Sequence, residues 1–265
     1  MARSMTASAN QAQLNLQLPQ WPDHLRGVPW VALRTALFAP VRRGARRTYS
    51  REKLEAISDW QIVYTGFQLD QADLDVYECV LHVARSVPLG GVVEFRPREL
   101  LRQLGRSVGK SDREWLLRSL DRLQACAIEF KLGPVSYTGS LIQDQGRVET
   151  DDGSWRHFLR LNPKIGSLYD HGFNMVSWET RMQLGSNQLA KWLHGFTASL
   201  SRPLTFPVAK VASLSNSHYA RERDFRFALE KAVAELDALG VHLRLDWDLR
   251  KSHVTFSKRK AAETS

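Results

Sequence analysis

From about residue 72 the apolar positions of the chain become periodic. In "QADLDVYECVLHVARSV" the residues Leu74, Val76, Tyr77, Val80, Leu81 and Ala84 share one helical face. Gly90-Gly91 marks a turn and "VVEF" a short strand. "PRELLRQLG" opens on Pro97, carries Leu100, Leu101 and Leu104 at helical spacing, and stops at Gly105. "SDREWLLRSLDRLQACAIEF" places Leu116, Leu120 and Leu123 on one helical face, then changes to β-type sequence at Ala127 to Phe130. "VSYTGSLI" and "RHFLRL" predict further strands. The second half repeats the order. One helix is predicted over "WETRMQLGSNQLAKWLHGFTASL", a strand over "PLTF" and a short helix over "PVAKVASLS". The turn "NSHYA" leads into the helix "RERDFRFALEKAVAELDALG", and "DLRK" joins two strands, "VHLRLDW" and "SHVTFSK".

Each half therefore predicts helix, short strand, helix, turn, helix and strands. This is the order of a winged helix, a helix-turn-helix followed by a β-hairpin. Phe95 and Phe206 end the short strand in each half. The expected fold class is α+β, with two tandem winged-helix domains over 56–170 and 171–260. A tail follows over 261–265, and an arm over 1–55 precedes them. That arm holds a polar leader, then Pro19, Pro22, Pro29 and Pro40, then the basic run Val41 to Arg47. Prolines break helices and like charges keep a segment open, so the arm is expected to be irregular. Trp60, Trp178, Trp192 and Cys126 are assigned to the core, and Trp115 partly outward.

Composition narrows the function. Across 265 residues, 37 Lys and Arg face 28 Asp and Glu, a net charge of +9 that favours an anionic partner, above all nucleic acid. Two cysteines, Cys79 and Cys126, are too few for a disulfide framework or a structural zinc site. The histidines have no metal-binding spacing, and neither Asp151-Asp152 nor any nucleophile–base arrangement suggests catalysis. No metal, no cofactor and no enzymatic activity are expected. The leader lacks an apolar signal core, and no apolar run approaches the ~18 residues of a membrane span, so a cytoplasmic location is expected.

"LGRSVGKSD" contains Gly109-Lys110-Ser111, the end of a phosphate-binding loop. That loop requires four residues between its glycines and a buried strand before it. Here three residues separate Gly105 from Gly109, and the preceding segment is helical. The alternative uses every residue: Gly105 ends a helix, Arg106 to Gly109 form the turn, and Ser111 caps the next helix with Glu114 completing a capping box. Leu116, Leu120 and Leu123 then point inward. Ser111, Glu114, Trp115, Arg118 and Arg122 point roughly outward, as a major groove accepts. In the second half Arg223, Phe227, Glu230 and Lys231 face outward from the stripe of Phe225, Leu229, Ala232, Leu236 and Leu239, with Arg221 and Arg226 on the flanks. Arg250, Lys251 and Ser252 sit at the second hairpin tip, and Lys258 follows. The expected DNA-binding set is thus Arg106, Lys110, Ser111, Arg118, Arg122, Arg221, Arg223, Arg226, Lys231, Arg250, Lys251, Ser252 and Lys258. The first hairpin, assigned to "GPVSYTG" and "QGRVETDDG", is less basic.

"QLNLQL", residues 13–18, alternates leucine inside a polar segment. It reads either as a strand docked on its own domain or as a peptide anchor, with Gln13 for hydrogen bonding and Leu14, Leu16 and Leu18 for an apolar cleft.

The chain resembles the TrfA family of plasmid replication initiators. The similarity rests on "QLNLQLPQWPDHLRGVPWVALRTALFAP", "IVYTGFQL", "PLGGVVEFRPRELLRQLG", "LRSLDRLQACAIEF" and "VAELDALG". The resemblance implies tandem winged helices that bind iterons in double-stranded origin DNA, melt the origin, and recruit the host replicative helicase and sliding clamp. Single-stranded origin DNA and a second copy of the chain, as a homodimer, are further candidate partners. The family's clamp-binding pattern Q-L-x-L-F is met at Gln13, Leu14 and Leu16, while Gln17 replaces the aromatic residue and Leu18 fits the wider form. The alternative function is a winged-helix transcriptional repressor, which shares the charge but has no use for the hexamer.

Overall fold

The computed structural model describes residues 17–258 apart from 42–45, 58–59, 134, 152–154 and 218. In chain order these form β1 (Leu25–Pro29), a single helical turn α1 (Trp30–Leu33), β2 (Phe38–Ala39), β3 (Thr48–Leu54), β4 (Gln61–Phe67) and β5 (Leu69–Asp70). Next come α2 (Gln71–Ala84), β6 (Val93–Phe95), α3 (Pro97–Gln103), α4 (Lys110–Ala125), β7 (Ala127–Leu132), β8 (Val135–Gly139), β9 (Ile142–Glu149) and β10 (Trp155–Leu161). A short 3-10 turn precedes α5 (Gly166–Asp170), β11 (Phe173–Ser177), α6 (Trp178–Gln183) and α7 (Gln188–Ala198). The chain continues with β12 (Leu204–Pro207), α8 (Val208–Leu214), α9 (Glu222–Ala238), β13 (Leu243–Trp247) and β14 (His253–Lys258). Helices and strands are mixed along the chain, an α+β fold.

Two units share one order. In the first, β6 pairs with β10 and β10 with β9, all antiparallel, and α3 and α4 lie between β6 and β9 in sequence. In the second, β12 pairs with β14 and β14 with β13, with α8 and α9 in the same place. Phe95 lies opposite His157, and Phe206 opposite Val254. The apolar core follows the same division. One cluster of buried residues runs from Leu18 to Trp178, and the other from Leu184 to Phe256. Residues 173–178, expected to open the second domain, pack with the first, because β11 pairs with β1.

The first long helix is buried almost all round. Asp70 caps α2 by accepting from Asp73 N–H, and the Asp73 carboxylate accepts from Asp70 N–H. The predicted apolar face is buried, and so are Asp73, Asp75, Glu78 and His82. All three carboxylates meet cations, Glu78 Oε2 lying 3.2 Å from Arg181 Nε without a hydrogen bond. Asp73 binds Arg46 and Arg122, while Asp75 accepts from Arg181 Nε at 2.7 Å and from Lys191 Nζ at 2.6 Å. Arg181 and Lys191 lie on α6 and α7, so these bonds join the two units through α2. Such pairs hold a register because a buried charge without its partner costs several kcal/mol, roughly 3–5.

Several expectations are corrected. The segment before residue 55 is not an irregular arm from Gln17 onward: Val28, Val31, Leu33, Leu37 and Phe38 are buried. Pro29 closes β1 with extended dihedrals and leads into α1, so the proline punctuates structure here without abolishing it. The charge of Arg46 is neutralised by Asp70 and Asp73. This segment also reaches the second unit. Tyr49 Oη accepts from Asn216 at 2.7 Å, Lys210 pairs with Glu55, and Arg34 donates to the Ser199 carbonyl. The single helix expected over 178–200 is two, α6 and α7, because Gly185 adopts φ +54° and turns the chain between them. "GPVSYTG" is not part of the first hairpin. Its residues Val135–Gly139 form β8, the edge of a four-stranded sheet in the order β3-β4-β7-β8. The hairpin that pairs with β6 is β9–β10, and β7 and β8 come between it and α4 in the chain.

Candidate nucleic-acid interface

In the first unit α3 ends at Gly105, whose φ of +64° makes the reversal that lets α4 start five residues later. Gly109 occupies the N-cap position and no side chain caps the helix, so the expected Ser111 cap with Glu114 is corrected. The helix begins at Lys110, leaving Ser111 inside the first turn, where its hydroxyl cannot meet the orphan amides as a capping residue does. Lys110 is 90% exposed, and Ser111, Arg113 and Arg118 are exposed beside it. The turn is held by Asp112, which accepts from Arg106 at 2.9 Å and from Ser107 Oγ at 2.5 Å. Those hydrogen bonds keep its carboxyl below the usual range. Arg106 also lies over the Trp115 ring at 3.6 Å, so it braces the turn.

Arg122 is corrected as an outward residue. Its guanidinium bends back to Asp73, Nη2 to Oδ1 2.6 Å, and only 15% of its side chain is exposed. The helical angle alone places it outward; the buried carboxylate of α2 draws it in.

Residues that sequence reasoning missed complete the face. Arg96, Arg98, Arg113, Arg147 and His157 join the expected Lys110 in lining one open cleft of about 780 Å³ between α3, α4 and the β9–β10 hairpin, with Val108, Trp155 and Glu114. Arg147 sits opposite His157 in the ladder and lies 4.6 Å from the centre of the Trp155 ring, which is two positions away on the same face. Partial burial, then Arg147, lower the pKa of His157. Arg96 and Arg98 flank Pro97 at the start of α3, a signal present in the sequence. Arg147 and Trp155 become neighbours only through the β9–β10 register.

The second unit presents α9. Phe225, Leu229, Ala232 and Leu236 are buried, and Leu239 is partly so. Arg221, Arg223, Phe227, Glu230 and Lys231 are exposed. Arg221 is bonded to Asp224 at 2.9 Å, which leaves Arg223 and Lys231 the freer cations of this face. Arg226 is bonded twice: its Nη1 donates to Glu222 at 2.9 Å and to the Lys251 carbonyl at 3.0 Å. It ties the helix to the tip of the β13–β14 hairpin and is largely a positioning group. At that tip Lys251 adopts φ +54°, and its N–H donates to the Asp248 carbonyl at 2.9 Å. The Asp248 carboxylate accepts from His253 N–H at 2.9 Å and from Ser252 Oγ at 2.8 Å, and these bonds hold its pKa low. Ser252 thus fixes the loop, while Arg250 and Lys251 are exposed. Lys258 is exposed at the end of β14, beside Arg202 and away from the tip.

The peptide-anchor residues divide. Gln13, Leu14 and Leu16 lie outside the described residues. Leu18 is corrected: it is 2% exposed within the first core cluster and is not available to a partner. Among the described residues no group of His, Cys, Asp and Glu is arranged to hold a metal, and no helix is long and apolar enough to cross a membrane. The P-loop reading finds no structural context, since Gly105 follows a helix and Lys110 opens α4 without a preceding buried strand.

Comparison with known proteins places this geometry. A family model described as TrfA protein matches residues 5–249. Over 245 residues the chain is 26% identical to the plasmid replication initiator protein TrfA of Escherichia coli, covering 87% of this chain and 62% of that relative's length. The fold is similar to a crystal structure of domains 2 and 3 of RctB, at a TM-score of 0.55 and 12% identity, over 84% of this chain and 95% of that one. A second crystal structure of the same RctB domains matches at a TM-score of 0.51 and 14% identity, over 83% and 93% of the two chains.

Proposed function

The chain belongs to the TrfA family of plasmid replication initiators, and from that premise we propose that it binds iterons in the double-stranded origin of a plasmid through two winged helices. The observation that carries this reading is the repeated unit. Each unit follows a short strand with two helices and a hairpin, and each second helix, α4 and α9, turns a face with exposed cations away from the core. Arg113, Arg118 and Arg147 in the first unit, and Arg223, Lys231 and Lys251 in the second, are the proposed DNA contacts. Lys110 at the start of α4 meets a phosphate, where the helix dipole adds to its charge.

Origin opening, contact with single-stranded origin DNA, homodimer formation and recruitment of the host helicase belong to the same proposal. So does recruitment of the sliding clamp through Gln13, Leu14 and Leu16, with Leu18 committed to the fold. No catalytic step of its own is proposed, and the site of action is the cytoplasmic plasmid.

The test is a gel shift of the full chain on origin duplex against random duplex across a salt series. Two units making roughly 8 phosphate contacts give a log–log slope of about −7 with preference for the origin. A slope near −1 excludes docking by both units. Plasmid loss on deletion of the gene separates an initiator from a repressor that shares the same DNA-binding parts.

A further inference from the structure

Phe227 stands at the middle of the outer face of α9 with 70% of its surface exposed. The stripe that packs inward is Phe225, Leu229, Ala232 and Leu236. At about 100° per residue, position 227 lies about 200° from both Phe225 and Leu229, directly away from the core. An aromatic ring held in water forgoes the burial that usually accounts for such a residue. Arg223 lies four residues before it and Lys231 four after, in the same row of the helix and exposed, with Glu230 beside them.

A protein partner would want a contiguous apolar patch, and a membrane surface a longer apolar stripe. In its row the ring is a single apolar group between two cations. The open cleft of about 970 Å³ that it lines is edged by Arg223, Asp224, Lys231 and Glu235, while its other large apolar groups, Leu189 and Tyr219, are buried or half-buried. A DNA major groove matches that pattern. Its phosphates meet the cations, and the 5-methyl of thymine is the apolar group that base edges present there.

The first unit sharpens the point. Leu116, Leu120 and Leu123 are buried along α4 with the same spacing as Phe225, Leu229 and Ala232. In that register Arg118 holds the place of Phe227. Two helices of one design thus offer different chemistry at the same position.

We propose that Phe227 is a base-reading residue that packs on the 5-methyl group of one thymine in the major groove. This deepens the proposed function and rests on it. The contact adds a modest part of the affinity and sets the choice of base.

Deoxyuridine retains the pairing and the hydrogen-bonding edge of thymine and lacks only the methyl. Thymines of an origin duplex are replaced by deoxyuridine one at a time, and affinity is measured with the full chain. One position in the α9 half of the site is expected to lose about fourfold, the worth of one buried methyl, while the others stay level. Phe227→Ala is expected to lose at least as much on thymine DNA, to show no further loss at that position, and to keep the salt slope. An unchanged urea midpoint for Phe227→Ala shows that the exposed ring is not needed for folding. A wild-type chain insensitive to every deoxyuridine overturns the assignment. So does a Phe227→Ala chain that still loses affinity at the same position. Failure of the wild-type chain to prefer origin duplex over random duplex overturns the proposed function itself.

Discussion

Arg122 of α4 and Asp73 of α2 are bonded at 2.6 Å in the interior of the first unit, although helical spacing turns residue 122 toward solvent. Asp73 also accepts from Ser119 Oγ at 2.6 Å and from Arg46 Nη1 at 2.8 Å, so one fully buried carboxylate gathers α4 and the segment before β3 around α2. Asp73→Ala leaves Arg122 without its acidic partner in the interior and Arg46 with Asp70 alone. It is expected to cost about 3–5 kcal/mol of stability, read from the urea midpoint. Arg122→Ala should likewise lower stability while the folded protein keeps its DNA affinity. A variant with native stability and lost DNA binding would return Arg122 to the interface.

Leu18→Ala opens a hole in the first core cluster and is expected to cost about 2–5 kcal/mol, again by urea unfolding. Clamp capture by the folded fraction, measured by pull-down with purified clamp, should be retained. Loss of capture at unchanged stability would mean that Leu18 leaves the core to reach a partner.

Glu78 makes stability depend on pH. Burial pushes its carboxyl up to about 7, and Arg181 only partly offsets this. The single hydrogen on Arg181 Nε is directed to Asp75 at 2.7 Å, and neither oxygen of Glu78 accepts a hydrogen bond from a described residue. The folded state therefore holds a proton that the unfolded chain releases near 4.5. This contribution is full below about 4.5 and is lost as pH rises to about 7. His194, pushed down to about 3 by burial and then Arg181, works the other way, its contribution being lost as pH falls from 6.5. In a Glu78→Gln variant the difference from wild type isolates the first effect. The variant should gain stability relative to wild type as pH rises from 5 to 8, by an amount on the order of 3 kcal/mol. A pH-independent difference between the two proteins would exclude ionisation of Glu78 as the cause.

Arg113→Ala and Arg147→Ala should weaken binding to origin and random duplex alike and reduce the magnitude of the salt slope by about 1 each. Arg223→Ala should instead cost about 1–3 kcal/mol at one base position. Equal losses on origin and random DNA for Arg223→Ala would make it a phosphate contact.

The repeated order of helices and strands was legible in the sequence because periodicity reports which face of a local element is buried. The stripes of α4 and α9 and the glycine-ended turn after α3 are local facts of this kind, as is the exposure of Arg118, Arg223 and Phe227. The family resemblance rested on contiguous strings and needed no structure. What the tertiary structure decided involves partners far apart in the chain. Spacing cannot foresee that Arg122 finds Asp73, 49 residues away, or that Arg147 and Trp155 meet across the β9–β10 hairpin while "VSYTG" joins another sheet. Nor does a string of prolines and arginines announce that β1 pairs with β11, about 150 residues later, and that Leu18 is carried into the core by that anchoring. A charge or a leucine is exposed or buried according to what packs over it, and only the assembled fold supplies that neighbour.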